Sequence, residues 1–353
     1  MTLPDLLPVS ELASRLGIPA EAVELCRSAE LIDLHLDSFI PVRLWGYDLF
    51  ARHSGLLGGR FFGQLDVPRM LDGGLDGGMW SITTNPTRGA KGRLAVLARN
   101  VARLRALVSG SGGRLAIART RGEYDAVRRT GAHAVLVAIQ GGNALEAAPE
   151  GPAFVPDDLL TRVTVVHLSN SIYGATSSPA SRGKHGLTER GRELVRQLDQ
   201  ARVFVDLAHI DRQGFWDAVK VHDRSRPLIV THTGVCGVHE HWRNLDDAQV
   251  KAVADSGGTI GVMFQRSFLQ PKGRANDGRL VIDHLEHIIQ IAGEDCASIG
   301  SDYDGAIVPP PDLRSADAYP RLVAYMLERG WSDVRIRKVL GDNFLRAFAL
   351  LRP

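Results

Sequence analysis

The stretch Leu31-Ile32-Asp33-Leu34-His35-Leu36-Asp37 is an apolar run with strand propensity that carries a histidine and an aspartate two residues apart at its end. Side chains alternate along a strand, so His35 and Asp37 are expected to project together while Leu34 and Leu36 pack on the other side. An imidazole beside a carboxylate is half of a zinc site. On its own such a pair is more often two buried polar groups satisfying each other. It gains weight because the same residue types recur at the ends of later strands.

Working outward, residues 77–83 read as a second strand, followed by an amphipathic helix at 91–108 with Leu94, Leu97, Val101, Leu104 and Leu107 at spacings of three and four. Further apolar runs lie at 134–139, 163–166, 203–207, 228–231, 259–264 and 297–301, with helical patterns at 187–200, 211–222, 246–255 and 282–292. Near-continuous apolar strands alternating with helices require a parallel sheet covered on its outer face. Eight such units predict an α/β fold of the closed (β/α)8 TIM barrel type rather than an open sheet. No Gly-x-Gly-x-x-Gly opens a helix after the first strand, which counts against a dinucleotide fold. A ninth short run, 115–118, is expected to lie outside the main sheet. Residues 319–351 are expected to form two final helices with a turn at Gly330-Trp331-Ser332.

With no linker rich in Pro, Ser or charge, 31–353 is expected to be a single barrel domain, preceded by a helical capping segment over 1–30. In that segment Ser10 to Gly17 has the look of a helix-turn-helix opening. The following helix, with Glu21, Glu24 and Glu30 against Arg27, would repel phosphate. The long Gly-rich connection at 38–76 has the length of a binding loop or lid.

Composition narrows the partners. With 42 Lys+Arg against 40 Asp+Glu and no long basic run, neither nucleic acid nor an anionic membrane is indicated. The first residues, Met1 to Asp5, lack a basic region followed by an apolar core, and no stretch approaches a charge-free membrane span, so a cytoplasmic protein is expected. Three cysteines, Cys26, Cys236 and Cys296, without CxxC spacing fit reduced thiols better than a disulfide framework.

The functional signal is positional. His35, Asp37, Gln140, His167, His209, His232 and Asp302 all fall at the C-terminal ends of predicted strands, the face on which barrel enzymes keep their chemistry. Imidazoles and carboxylates converging there suit zinc, which activates water and polarises a carbonyl, with Asp302 placed to move a proton from that water to a leaving group. His239, His241, His284 and His287 are expected to be solvent-exposed.

Taken together, several pieces identify a resemblance. They are Asp33-x-His35-x-Asp37, Gly73-Gly74 with Trp80-Ser81, Gln140-Gly141-Gly142 and His167-x-x-Asn170. They continue with Gly186-Leu187-Thr188, Val205 to His209, His232, Arg243-Asn244, Gly300 to Gly305 and Gly341 to Phe344. From about residue 31 to 348 the chain resembles the membrane (renal) dipeptidase family of zinc peptidases, which have amidohydrolase-like barrels. The resemblance implies that His35 and Asp37 hold one zinc, that His209 and His232 hold another, and that residue 140 bridges the two. It also implies that His167 stabilises the oxyanion, that Arg243, with Asn244 beside it, binds the substrate carboxylate, and that Asp302 shuttles the proton. The protein is expected to be a homodimer acting on a small dipeptide-like substrate.

Two departures matter. The family's bridging glutamate is Gln140 here, with Glu146 lying six residues beyond the strand end, and an amide offers metal only a neutral oxygen. The tyrosine that assists the arginine falls at Phe268, which has no hydroxyl. Hence the expectation is one or two zinc ions and a dipeptidase-type hydrolase. The alternatives are a one-metal amidohydrolase acting on another small amide, and a weakly active homologue with a binding role.

Overall fold

The computed structural model describes residues 6–270 and 276–353. Its strands are β1 (Ile32–Leu36), β2 (Gly77–Thr83), β3 (Leu115–Ile117), β4 (His133–Gln140), β5 (Leu160–Thr164), β6 (Phe204–Asp206), β7 (Ile229–Thr233), β8 (Thr259–Val262) and β9 (Ala297–Ile299). They run β2-β1-β9-β8-β7-β6-β5-β4, and β2 pairs back onto β4, so eight parallel strands close into a (β/α)8 barrel. The ninth run is not separate from the sheet. β3 pairs with the first residues of β4, on the edge that β5 takes over from Val137 onward, and so joins the sheet without entering the ring.

The barrel interior changes character along its axis. Near the strand starts Ile32, Leu34, Met79, Leu136, Phe204 and Ile229 form an apolar plug with Phe344 and Phe348 of the helix Asn343–Leu351. Toward the strand ends the interior is polar: Ser81, Arg162, Thr164, Asp206 and Thr231 are all buried. The apolar layer supports the barrel, and the polar layer is free to hold chemistry above it.

Simple alternation fails at two strands, and both failures serve the site. In β1 the register against β2 passes from Asp33↔Gly78 to Leu36↔Trp80, so one extra residue bulges from the strand. Leu34 therefore packs in the inner plug, Leu36 packs in the outer layer, and His35 still turns inward. The expectation that Leu34 and Leu36 share one side is corrected by this bulge. In β7 the same shift between Val230 and Thr233 lets the neighbours Thr231 and His232 both face the interior.

Helices cover the outside as patterned, at Ala90–Ser109, Glu189–Gln200, Arg212–Val221, Asp247–Asp255 and Arg279–Ala292. Thr188, Asp211 and Asp246 cap three of them by accepting from backbone N–H groups. The C-terminal region forms the two expected helices on either side of the turn at Gly330-Trp331-Ser332. The first is Tyr319–Glu328; the second runs unbroken from Asp333 to Leu351, widened to a π turn over Lys338–Asp342. Gly341 in that turn lies so close to the Glu30 carbonyl that a Cβ would stand 2.1 Å from its oxygen. The connection after β1 also contains two short helices, Phe39–Trp45 and Val67–Asp72, too brief to leave a readable period. Among the described residues no helix is long and apolar enough to cross a membrane.

Two further buried histidines tie layers together outside the group of strand-end residues. His133 accepts a hydrogen bond from Trp80 Nε1 at 3.0 Å and lies 3.0 Å from the Leu75 carbonyl through Nδ1. His284, expected to be exposed, is fully buried: Val235 N–H donates to Nδ1 and Nε2 faces the Leu269 carbonyl, both at 2.9 Å. The inward face of its helix, Val281, Ile282, Leu285 and Ile288, carries it into the core. Burial pushes the His133 pKa down to about 4. A depressed histidine pKa gives stability that is complete above the unfolded value near 6.5 and is lost as pH falls toward about 4. Between pH 7 and pH 5, His133→Gln is therefore expected to lose about 2 kcal/mol less stability than the parent chain. Urea unfolding at the two pH values tests this; parallel losses in both proteins would reject it.

Candidate active site

The strand ends bring most of the expected residues together. His35 is the fourth residue of β1 and Asp37 follows it; Gln140 ends β4; His232 lies within β7; His167, His209 and Asp302 each sit three residues beyond β5, β6 and β9. His209 and Asp302 both hold left-handed backbone, at φ 65°, a conformation costly for non-glycine residues and commonest where side-chain aim matters. The four imidazoles form a continuous group. Ring centroids are 3.8 Å apart for His35 and His232, 4.8 Å for His232 and His209, and 4.6 Å for His209 and His167.

The donor atoms fit one divalent cation. Ligand atoms of His35, His232 and Asp302 lie within 4.8 Å of one another, and His209 Nε2 is 2.8 Å from His232 Nε2. The network beneath assigns the His232 tautomer. Thr231 Oγ1 donates to Asp206 Oδ2 at 2.8 Å, so it accepts from His232 Nδ1 at 2.9 Å, leaving the Nε2 lone pair directed at the site.

A second cation fits poorly. Gln140 satisfies its neighbours when its amide nitrogen donates to Asp37 Oδ1 and Oδ2, at 3.2 and 3.1 Å. Its oxygen then accepts from His35 Nε2 at 3.1 Å and His167 Nε2 at 3.2 Å. Under His35 lies Arg162, a fully buried guanidinium. Its Nη2 is 3.1 Å from His35 Nδ1 and donates to Ser81 Oγ at 2.6 Å, while Nη1 is 3.3 Å from Asp206 Oδ2. A donor facing Nδ1 keeps the His35 proton on Nε2, the nitrogen that a metal would need bare. An amide NH2 and a guanidinium thus stand where a second cation would want anions. Glu146 offers no replacement, because it pairs with Arg93.

Burial dominates the titration of the free site. It lowers His35, His209 and His232 well below the ordinary histidine value, and brings His167 to about 4. It raises Asp37 to about 6, and raises Asp302 well above the carboxylate range, where the Asp37 charge adds to the rise and Arg243 opposes it.

Arg243 and Asn244 sit to one side. Arg243 is buried, donates through Nη2 to the His232 carbonyl at 2.7 Å, and has no partner at Nε among the described residues. Asn244 is bonded at both ends to backbone, accepting from Gly234 N–H and donating to the carbonyls of His239 and Phe268, so it clasps the loop that carries Arg243. Phe268 stacks on His241 with centroids 4.4 Å apart and lines the main cavity. Residues 271–275, a little further along the sequence, lie outside the described residues. His239, His241 and His287 are half-buried rather than exposed; His287 Nε2 lies 2.7 Å from Asp247 Oδ1.

A cavity of about 600 Å³ opens above the strand ends, with Asp37, Gln140, His167, His209 and Asp302 on its floor. Sequence reasoning missed Arg162 beneath that floor and several arginines on the wall.

Comparison with known proteins agrees with this geometry. The model of the membrane dipeptidase family (peptidase family M19) matches residues 19–351. An uncharacterized protein in the pqqA 5′ region of Klebsiella pneumoniae is 28% identical over 259 residues, 71% of this chain and 94% of that protein. The crystal structure of a metallo peptidase from Rhodobacter sphaeroides, liganded with a phosphinate mimic of the dipeptide L-Ala-D-Ala, has a TM-score of 0.80 at 25% identity, covering 91% of this chain and 98% of that one. The dipeptidase AC, a metallo peptidase of family M19, has a TM-score of 0.78 at 25% identity, covering 91% and 99%. The probable dipeptidase PvdM from Pseudomonas aeruginosa shares the fold at 17% identity, with a TM-score of 0.82 and coverage of 94% and 97%. With barrel, strand-end histidines and family match in agreement over nearly its whole length, the chain belongs to the membrane dipeptidase family of metal-dependent hydrolases.

Proposed function

We propose that the protein is a zinc-dependent dipeptidase-type hydrolase that cleaves the amide bond of a small dipeptide-like substrate at the floor of this cavity. The observation that carries the reading is the cluster of His35, His232 and Asp302, with His209 beside it, at the mouth of a closed barrel. His232 and His209 would hold one zinc ion, with the Asp302 carboxylate beside it. Bound there, zinc would supply the activation of water and the polarisation of the scissile carbonyl.

The chain's own residues do the rest. Asp302 takes the proton of the attacking water and returns it to the leaving amine. His167 carries its proton on Nε2, aimed at Gln140, and can turn that donor to the developing oxyanion. Arg243 keeps Nε free for a substrate carboxylate, and Asn244 positions it by holding the loop. Phe268 adds apolar wall but no hydrogen bond. The protein acts as a homodimer in the cytoplasm in this reading.

A one-metal enzyme is favoured over a two-metal one by Gln140 and Arg162, which place donors and a positive charge at the second position. The test is elemental analysis of protein never exposed to chelator, followed by a dipeptide panel with and without chelation. About one zinc per chain is expected, with dipeptide hydrolysis that chelation removes and zinc restores. Metal-free protein of full activity, or metal-loaded protein cleaving no dipeptide, rejects the reading.

A further inference from the structure

The wall of the cavity is strongly asymmetric in charge. Helix Ala90–Ser109 turns Leu97, Val101 and Leu104 to the core, while Val96, Arg99, Asn100 and Arg103, spaced i, i+3, i+4 and i+7, line the cavity. Arg88 just before the helix and Arg43 from Phe39–Trp45 line it as well. Among the described residues none of these four guanidiniums pairs with a carboxylate. Arg93 and Arg105 of the same helix, by contrast, are taken up by Glu146 and Asp157 outside the cavity. The carboxylates lining the cavity are Asp37 and Asp302, both on its floor.

Buried polar atoms on the same wall are also left without partners. Asn100 Nδ2 (2% exposed) and Thr84 Oγ1 (7% exposed) make no hydrogen bond among the described residues, and neither does Arg43 Nε. Arg43 itself is held by Thr83 Oγ1, which accepts from its Nη2 at 2.5 Å. Burial lowers the proton affinity of Arg43; the Asp37 charge on the floor opposes that push and Arg103 adds to it. Buried donors normally find acceptors, and here the missing acceptor and the missing counter-charge lie on one surface. A group with several anionic oxygens would satisfy both, since guanidiniums accept carboxylate or phosphate in a planar two-point contact.

We propose that the wall formed by Arg43, Arg88, Arg99, Arg103, Thr84 and Asn100 binds a second anionic group of the substrate, so that the enzyme's substrates are acidic amides carrying a side-chain carboxylate or phosphate in addition to any terminal carboxylate. The proposal rests on the hydrolase reading above. It adds the chemical class of what is hydrolysed.

The test compares kcat/KM of the zinc-loaded full chain on Ala-Ala, Glu-Ala, Lys-Ala and phosphoserine-Ala. Calorimetric titration of the same peptides into Asp302→Asn protein reads binding without turnover. Glu-Ala or phosphoserine-Ala is expected to exceed Ala-Ala by about tenfold or more, with Lys-Ala lowest. The preference should shrink as salt rises, because solvent-accessible charges are screened. The double variant Arg99→Ala/Arg103→Ala should bring the acidic peptides down to the Ala-Ala level, whereas Arg105→Ala should keep the preference. Whether phosphoserine-Ala or Glu-Ala ranks first assigns phosphate or carboxylate. Hydrolysis of all peptides without regard to charge overturns this proposal and leaves the hydrolase reading standing. Absence of hydrolysis, with tighter binding of acidic peptides that depends on Arg99 and Arg103, overturns the hydrolase reading and supports the anion site. Neither hydrolysis nor charge preference overturns both.

Discussion

Asp302→Asn is expected to lower turnover of a cleaved dipeptide by about 10²–10⁴ while the fold and the bound metal are retained. The substitution is a clean probe for a conformational reason as well as a chemical one. Asp302 holds φ 65°, and asparagine is among the few residues that tolerate left-handed backbone, so the turn that Gly305 N–H closes on the Asp302 carbonyl survives. The amide matches the carboxylate in size but cannot accept a proton from water near neutral pH. Because Asp302 also belongs to the cluster able to hold a metal, metal content separates its two roles. Zinc retained with turnover lost identifies a proton shuttle. Zinc lost in step with turnover makes Asp302 chiefly a ligand, and near-normal turnover removes it from the chemistry.

The barrel was legible because its signal is redundant: most of its strands are largely apolar runs, and amphipathic helices recur between them. The positions of His35, Asp37, Gln140, His167, His209, His232 and Asp302 at strand ends were legible for the same reason. The means by which they converge was not. Alternation applied to residues 31–37 puts Leu34 and Leu36 on one side, whereas a bulge separates them and still turns His35 inward. A bulge is a property of register between two strands, and neither strand alone contains it. The β5 boundary was misplaced, at 163–166 against Leu160–Thr164, because Thr161 and Arg162 look like surface residues. In the fold Thr161 donates to the Val137 carbonyl and Arg162 lies wholly inside. The same bias, polar means exposed, set His284 on the surface. Arg99, Asn100 and Arg103 had a readable signal, a polar stripe at three- and four-residue spacing beside the apolar one, but it acquires meaning only when the helix is placed against a cavity.

Gln140→Glu is expected to raise metal binding from about one ion toward two per chain and to increase dipeptide hydrolysis. In the parent protein the amide nitrogen of Gln140 is 3.1 and 3.2 Å from the two Asp37 oxygens, a contact that neutral nitrogen makes favourable. The nearly isosteric carboxylate converts it into two anions at hydrogen-bond distance. Such a pair must either share a proton or take up a cation. With a divalent ion available the second course wins, since each carboxylate can give an anionic oxygen to the metal, and the Oε1 position already faces both His35 and His167. The gain in affinity for the second ion should be at least the roughly 10–100-fold that altering a residue supporting a metal ligand costs. Arg162 limits it: its guanidinium, 3.1 Å from His35 Nδ1, still opposes the metal-ready tautomer, so the second ion is expected to dissociate first on dialysis. Elemental analysis along a dialysis series, with dipeptide turnover at each point, checks the order. The explanation fails if the parent chain already keeps two zinc ions after extensive dialysis, or if the glutamate variant gains neither metal nor activity.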